Sequence, residues 1–299
     1  MRVMVVGAAL LLVLLSSCWS GTTAPDQTGT GETDGYTLIW ADYFDDGKLD
    51  ADNWTCEQNG LGGGNQELQY YLPDNVSVIR DRSDGRGCLR IEARREECEG
   101  KAFTSGRLNT EGKFSFAYGK VEASIKLPST ADGLWPAFWL LGADIRSNPW
   151  PACGEIDILE MGNATGIAEG TQTRYFNGAC HWGTYVDTWH PELAAHNLAP
   201  YSLQDGEYHL YTLIWEPERI TMFLDKDRFP DTEPYLSLDI SASEDVMSAG
   251  KYFHHMHFII FNLAVGGIFT GIMEPSGITA LDTGPACMYV DFVKVYQRR

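Results

Sequence analysis

The stretch Gly154–Gly162 places three carboxylates among large apolar residues, and it constrains the fold of this chain more than any other segment. Ile156 and Ile158 alternate with Glu155 and Asp157, which is the period of a strand with one face in a core and one acidic face. The β-branched isoleucines disfavour a helix, and a calcium-binding loop would carry more Asp, Asn and Gly at alternate positions. The segment is therefore predicted to be a strand.

Strict alternation would place Leu159, rather than Glu160, beside Asp157 on the acidic face. A β-bulge absorbs one residue and returns the next side chain to its face, and bulges are frequent beside active sites. We therefore predict a bulge within Ile158–Leu159, which brings Glu160 onto the acidic face.

Carboxylates on one strand face suit the cleavage of a glycosidic bond. A retaining glycosidase needs an ionised carboxylate as nucleophile and a protonated carboxyl as acid, about 5–5.5 Å apart across the bond. The Cα atoms of Glu155 and Glu160 lie on the order of 13 Å apart at about 3.3 Å per residue, so their side chains converge only on a concave sheet. Asp157 can share a proton with one of them and hold their pKa values apart. Spacing alone does not say which glutamate has which role.

The segment Trp150–Glu160, WPACGEIDILE, resembles the signature of glycoside hydrolase family 16 in the bulged E-x-D-x-x-E form that laminarinase-like enzymes carry. The resemblance implies that Glu155 is the nucleophile, Glu160 the acid/base and Asp157 their helper. Further motifs follow in the family's order over Tyr36–Gln297. The implied fold is all-β, a jelly-roll β-sandwich of two antiparallel sheets with a concave substrate cleft.

The family's other motifs imply five substrate-binding residues. Asn65 opens NQELQYY, where the family's asparagine faces the sugar, and Arg107 matches an arginine that supports the cleft, although a surface salt bridge explains it equally well. Trp135 and Trp139 share one face of LWPAFWLL and suit stacking on sugar rings, although a doubly buried strand also accounts for them. His181, in CHWG, matches a histidine near the scissile sugar, whereas the remaining histidines receive no role.

Two departures from the family's pattern affect the expected cleft. Leu61 and glycines stand in the loop Asn59–Gly64, where family members often have a tryptophan, so a sugar-binding surface is expected to be missing at that edge. Ile268 and Phe269 replace an asparagine and a tryptophan after NLAVGG, which leaves the far subsites undefined.

Many family members hold a structural calcium on the convex side of the sandwich. The matching donors are Asp291 and the backbone carbonyls of Tyr43 and Gly87, although an exposed aspartate in a strand would look the same. No cofactor is implied for catalysis. No CxxC or His/Cys ligand spacing indicates zinc.

The N-terminus has the build of a secretion signal, since Arg2 precedes the apolar run Val3–Leu15, which is too short to favour a membrane span. The sequence LSSC ending at Cys18 resembles the bacterial lipoprotein box and implies an exported cell-envelope lipoprotein, with ordinary cleavage and secretion as the alternative. We divide the chain into a signal peptide (1–17), a flexible tether poor in apolar residues (18–35) and one catalytic domain (36–299).

Composition narrows the class of partner. The formal net charge of −19 disfavours nucleic acid, anionic membrane surfaces and polyanionic substrates, so a lipid anchor is the only membrane contact expected. Nine Trp, 14 Tyr, 13 Phe and 31 Gly favour short strands and turns. The six cysteines beyond Cys18 permit disulfides that sequence does not pair, and a buried free thiol at Cys153 explains that residue equally well. We expect a monomer.

Elements far from the acidic strand are also predicted. Glu207–Trp215 and Arg219–Asp225 read as two strands of a hairpin. Ser241–Ala249 is predicted to be a short helix with Ser243 as its N-cap.

Together these features predict an endo-acting, retaining hydrolase whose substrate is a β-1,3-glucan such as laminarin. A hydrolase or transglycosylase of the same fold acting on mixed-linkage glucan or a marine galactan stays open. A non-catalytic glucan-binding surface protein is a third alternative, and the presence of all three carboxylates argues against it.

Overall fold

The structure is a computed structural model that describes residues 32–33, 35–81, 85–185 and 189–298. These residues form two large antiparallel sheets packed face to face, which confirms the predicted all-β jelly-roll fold. The predicted signal peptide, Cys18 and most of the predicted tether lie outside them. Glu32–Thr33, inside the predicted tether, pairs with Tyr36–Thr37. Within the described ranges, no helix is long and apolar enough to cross a membrane.

With strands numbered in chain order, the first sheet has nine strands within the described residues. These are β1 (Glu32–Thr33), β2 (Tyr36–Asp42), β5 (Val76–Arg80), β6 (Gly87–Ala93), β9 (Gly119–Lys126), β14 (His209–Glu216), β15 (Arg219–Leu224), β16 (Leu236–Asp239) and β18 (Ala286–Arg298). The main order is β1-β2-β18-β9-β14-β15-β16, and β6 joins β5 to β18. The predicted hairpin is confirmed, because β14 and β15 pair from Glu216 and Arg219 onward.

The second sheet has seven strands in the same part of the chain, in the order β13-β12-β11-β10-β17-β8-β3. They are β3 (Thr55–Cys56), β8 (Arg107–Asn109), β10 (Leu134–Gly142), β11 (Glu155–Met161), β12 (Tyr175–His181), β13 (Glu192–Leu198) and β17 (His257–Val265). A short parallel pair, β4 (Gln69–Tyr71) and β7 (Phe103–Ser105), lies beside them. Short 3-10 turns span Gly62–Gly64, Pro73–Asn75, Ala249–Lys251 and Pro275–Gly277.

The core lies between the two sheets, and alternation along β10 decides which side chains enter it. Phe138 and Leu140 are fully buried in the core, whereas Trp135 and Trp139 point to the outer face of the second sheet, as period two predicts. Phe138 pairs with Phe261 on β17, and their rings stack with centroids 4.7 Å apart. This packing fixes the position of the strand that carries both cleft tryptophans.

The helix predicted at Ser241–Ala249 is wrong. Asp239 accepts a hydrogen bond from the Ser241 N–H at 2.9 Å, and Asp245 accepts one from the Met247 N–H at 2.8 Å. Such local side-chain bonds give the backbone an alternative to helical pairing. The α-helix that the described residues do contain, α1 (Ala164–Ala168), is capped by Asn163 and was not predicted.

The cysteines of the described residues form no disulfides. Cys56, Cys88, Cys98, Cys153, Cys180 and Cys287 are all free thiols. Cys153 is fully buried, and this burial raises the pKa of its thiol to about 12. The buried free thiol that the sequence allowed at this position is therefore present.

Candidate active site

β11 contains the predicted bulge. Between Asp157 and Glu160 it has two residues where β12 has one, and its register against β10 skips Ile158. Ile158 and Leu159 are both fully buried in the core, while Glu160 returns to the outer face. The bulge within Ile158–Leu159 is confirmed, and it places all three carboxylates on one face of the sheet.

These carboxylates line a cleft of about 550 Å³. Its lining also includes four of the five predicted substrate-binding residues, Asn65, Arg107, Trp135 and Trp139. Side chains that are distant in sequence also line it, namely Glu57, Tyr71, Trp150, Tyr185 and Asn262. The cleft is thus assembled across β8, β10, β11 and β17, with the glycine-rich loop at its rim.

Burial raises the pKa of the three carboxyl groups on β11. The pKa rises to about 8 for Asp157 and to about 8 for Glu160, and it lies well above the usual range for Glu155. The negative charge of Asp157 raises the pKa of both glutamates further, whereas the nearby His181 lowers it. Because ionising one carboxyl makes ionising its neighbours harder, the cluster titrates as a unit and retains a proton near neutral pH.

Trp135 contacts the end of this cluster. Its Nε1 donates to Oε1 of Glu160 at 3.0 Å, and this hydrogen bond lowers the pKa of Glu160 against the effect of burial. Phe269 stacks on the indole at a centroid distance of 4.5 Å, so one ring face is covered. The structure thus gives Trp135 a contact with the acidic cluster that sequence reasoning did not anticipate.

Trp139 is held by a chain of buried polar groups. Its Nε1 donates to Oδ1 of Asn262 at 2.7 Å, and Asn262 contacts the hydroxyl of Tyr71 at 3.5 Å. The Tyr71 hydroxyl in turn donates to Glu67 at 2.9 Å. Because this chain fixes the indole edge, the ring face of Trp139 is held in the cleft wall.

Arg107 lies in the cleft lining and also forms a salt bridge, which the sequence analysis gave as its alternative role. Its Nε donates to Oε1 of Glu57 at 2.8 Å, and Asn109 donates to the same oxygen at 3.0 Å. The guanidinium lies 4.8 Å from the ring centroid of Trp139. Arg107 therefore supports the back of the tryptophan with its charge balanced by Glu57.

His181 and Asn65 occupy opposite parts of the site. His181 is directly opposite Glu155 in the β11–β12 register, and its Nε2 lies 3.4 Å from Oδ2 of Asp157. Asn65 lies at the rim, where its Nδ2 donates to the carbonyl of Gly63 at 3.3 Å. His181 therefore lies beside the carboxylates, whereas Asn65 lies at the glycine-rich loop of the cleft rim.

Sequence reasoning missed several cleft residues. Asn262 had a usable signal, since it is the one amide in the apolar strand His257–Val265. Glu57 follows a two-residue strand and had no usable sequence signal. Tyr71 lies in the NQELQYY motif, from which a role was predicted only for Asn65. Trp150 lies just before β11, inside the segment that resembles the family signature, but no role was predicted for it.

The segments predicted to hold calcium do meet. A Cβ at Gly87 would lie 2.6 Å from the carbonyl oxygen of Phe44, and the rings of Tyr43 and Phe292 have centroids 6.4 Å apart. The Asp291 carboxylate, however, forms an ion pair with Arg86. A guanidinium therefore balances the one charged donor of the predicted set. Calcium binding stays a prediction.

A site in which buried carboxyl groups of raised pKa lie beside tryptophan side chains fits the class of carbohydrate-cleaving enzymes. Residues 65–235 match the family model of glycosyl hydrolases family 16. The chain belongs to this family and is a glycoside hydrolase.

Curated relatives agree with this family. A β-glucanase of Rhodothermus marinus is 34% identical over 97% of this chain and 93% of its own length. The glucan endo-1,3-β-glucosidase A1 of Niallia circulans is 31% identical over 89% of this chain, and the clotting factor G alpha subunit of Tachypleus tridentatus is 34% identical over 88%. The chain spans only 38% and 34% of those two longer proteins.

Solved structures show the same fold. A Bacteroides ovatus mixed-linkage glucan enzyme of the family, in complex with a G4G4G3G product, is 41% identical with a TM-score of 0.75, covering 86% of this chain and 99% of that one. The catalytic domain of an endo-1,3-β-glucanase (laminarinase) from Thermotoga petrophila is 32% identical with a TM-score of 0.71, covering 88% and 98%.

Proposed function

We propose that this protein is an endo-acting, retaining β-glucan hydrolase that cuts β-1,3 linkages. The observation that carries the proposal is the convergence of Glu155, Asp157 and Glu160 on one strand face inside a tryptophan-walled cleft. Relatives that cover most of the chain are named as β-glucanases and endo-1,3-β-glucosidases, which supports the substrate class.

In the first step, the ionised carboxylate of Glu155 attacks the anomeric carbon while Glu160 gives its proton to the leaving glycosidic oxygen. The glycosidic bond breaks and a glycosyl ester forms on Glu155. In the second step, Glu160 takes a proton from water, which attacks the same carbon and releases Glu155. Two inversions at one carbon leave the anomeric configuration unchanged.

Asp157 and His181 serve as positioning residues in this scheme. Asp157 lies between the two glutamates on the bulged strand, and its charge favours the protonated form of each. His181, 3.4 Å from Asp157, works in the opposite direction. Because the ionisation of one carboxyl opposes the ionisation of its neighbours, one carboxyl of the cluster can lose its proton while another keeps it, which the double displacement requires.

The charge of the cleft favours a neutral polymer. Arg107 is the cation in the cleft lining, and Glu57 already balances it. A sulfated or uronic acid chain would meet three carboxyl groups without a free cation among the residues that line the described cleft. A neutral glucan meets them at no electrostatic cost.

One observation favours a second substrate. The mixed-linkage glucan enzyme from Bacteroides ovatus is 41% identical, whereas the Thermotoga petrophila laminarinase is 32% identical. Mixed-linkage glucan is therefore the second candidate, cut by the same chemistry.

Product analysis of the full chain with laminarin, mixed-linkage glucan and agarose tests the proposal. Oligosaccharides from laminarin are expected with wild type and with the exposed-surface control Glu218→Gln, and none with Glu155→Gln. Faster cleavage of mixed-linkage glucan than of laminarin would establish the second candidate. Binding without cleavage of any polymer, or undiminished cleavage by Glu155→Gln, would overturn the assignment, and products longer than the substrate would indicate transglycosylation.

The roles of the two glutamates can be separated with an aryl glycoside, whose good leaving group does not need protonation. Glu160→Ala is expected to retain the first step on this substrate and to regain turnover when azide replaces water, because azide needs no general base. Glu155→Ala lacks the nucleophile, so no glycosyl-enzyme should accumulate under either condition. Equal behaviour of both variants would contradict the assignment of roles.

For the N-terminus, we propose export and a lipid anchor on Cys18, with the catalytic domain as a monomer. A membrane-bound wild-type protein and a released Cys18→Ser variant are expected on fractionation of the expressing bacterium. Equal release of both would favour ordinary secretion, and size-exclusion chromatography of the released form tests the monomer.

A further inference from the structure

At the end of the cleft beyond Asp157, three side chains aim metal-ligating atoms at one point. His181 lies on β12, Glu192 is its direct cross-strand partner on β13, and His190 precedes that strand. Their ligand atoms lie within 4.8 Å of one another. In this cluster, the His181–His190–Glu192 cluster, only His181 has a role in the hydrolysis described above, through its contact with Asp157.

The distances within the cluster match the edges of a coordination tetrahedron. Nδ1 of His181 lies 3.1 Å from Nε2 of His190 and 3.2 Å from Oε2 of Glu192, and the third edge, from His190 to Glu192, is 3.9 Å. Ligand atoms about 2.0–2.1 Å from a tetrahedral zinc ion lie roughly 3.4 Å from each other. A shift of the exposed Glu192 side chain by about half an ångström would bring both of its edges close to this value.

Two neighbouring groups converge on one ring nitrogen of His181. Nδ1 of His181 carries at most one proton, yet His190 and Glu192 both lie within contact distance of it. A cation between the three atoms satisfies all of them at once, with each nitrogen acting as a lone-pair donor.

The other ring nitrogen of His181 has the contact expected of a metal ligand. Its Nε2 faces Oδ2 of Asp157 at 3.4 Å. Histidines that bind a metal through one nitrogen commonly donate from the other to a carboxylate, which fixes the ring. The ring of Trp150 lies 4.6 Å from that of His190 and forms an apolar wall on that side.

We propose that His181, His190 and Glu192 form a binding site for a divalent transition-metal ion, zinc by ligand type and geometry, with a fourth position open to water or substrate. The bound ion would hold the His181 ring with its Nε2 hydrogen directed at Asp157. The cleft would then carry a metal-fixed histidine at its far end, next to the catalytic carboxylates.

Zinc binding is measured without substrate, so the test of this metal site is independent of the glycosidase assignment. The untagged full chain, freed of metal with EDTA, is titrated with ZnCl₂ by calorimetry, and CoCl₂ reports the coordination geometry by its visible absorption. One zinc ion per chain and a tetrahedral cobalt spectrum are expected. Zinc should also raise the Tm of wild type, because the ion binds only the folded arrangement.

The variants His190→Ala and Glu192→Gln are each expected to weaken zinc binding by about tenfold or more and to abolish the rise in Tm. His196→Ala, four residues from Glu192 on the same strand, is the matched control and should bind as wild type does. Circular dichroism checks that each variant is folded, and Glu192→Gln preserves the shape of its exposed side chain. No zinc binding by wild type would overturn the proposal. Zinc binding by both His190→Ala and Glu192→Gln as tight as that of wild type would also overturn it, by moving the ion to the other carboxylate–histidine group, Glu155, Asp157 and His181.

Discussion

The indole nitrogen of Trp135 donates to the carboxylate of Glu160 at 3.0 Å, which ties the wall of the cleft to the proposed acid/base. A hydrogen bond to an ionised carboxylate stabilises that form. Trp135→Phe removes the donor and keeps the aromatic packing, so the pKa of Glu160 is expected to rise. The alkaline limb of the rate against pH should therefore move to higher pH.

The matched control for this prediction is Trp139→Phe, which removes an indole donor that serves Asn262 and not Glu160. Its alkaline limb should coincide with that of wild type. If Trp135→Phe lowers the rate but leaves the alkaline limb of the rate–pH profile at the pH of wild type, the hydrogen bond does not set the pKa of Glu160.

Stability should depend on pH through the same carboxyl cluster. Folding raises the pKa of Asp157 from an ordinary value of 3.8 to about 8, so between these values the folded state binds more protons than the unfolded state. The free energy of unfolding then falls as pH rises through this window. Scanning calorimetry should show a Tm that declines from about pH 5 to about pH 8, and less steeply in Asp157→Asn. Parallel declines in both proteins would contradict this origin of the pH dependence.

Trp139 should contribute to substrate binding through its ring face. Trp139→Ala is expected to raise KM roughly tenfold, the effect of about 1.4 kcal/mol from a lost aromatic contact, with a smaller change in kcat. Phe229→Ala removes a half-exposed ring outside the cleft lining and is the control. A kcat loss at unchanged KM would indicate that Trp139 instead shapes the acidic cluster.

The core beneath the site should be sensitive to truncation. Phe138 is fully buried and stacks on Phe261 under the cleft strand. Phe138→Ala is expected to lower the free energy of unfolding by about 3–5 kcal/mol, measured by urea denaturation. A loss below about 1 kcal/mol would mean that the sheets close over the cavity.

The features of this molecule that depend on the alternation of side chains along one strand could be predicted from the sequence. The acidic strand, its bulge and the outward tryptophans follow from a period of two applied to adjacent residues. Glu57, Asn262 and His190 were not found, because their roles depend on strands that meet only after folding. The failed helix at Ser241–Ala249 has a local cause, since aspartate side chains there bind nearby backbone N–H groups and close turns.

The most direct test of the proposed chemistry is the anomeric configuration of the first product, followed by proton NMR during hydrolysis of laminarin oligosaccharides. Double displacement through Glu155 predicts that the β-anomer appears first and the α-anomer only later, by mutarotation in solution. Initial release of the α-anomer would show single displacement by water. It would contradict both the glycosyl-enzyme on Glu155 and the convergence of Glu155 and Glu160 across the scissile bond.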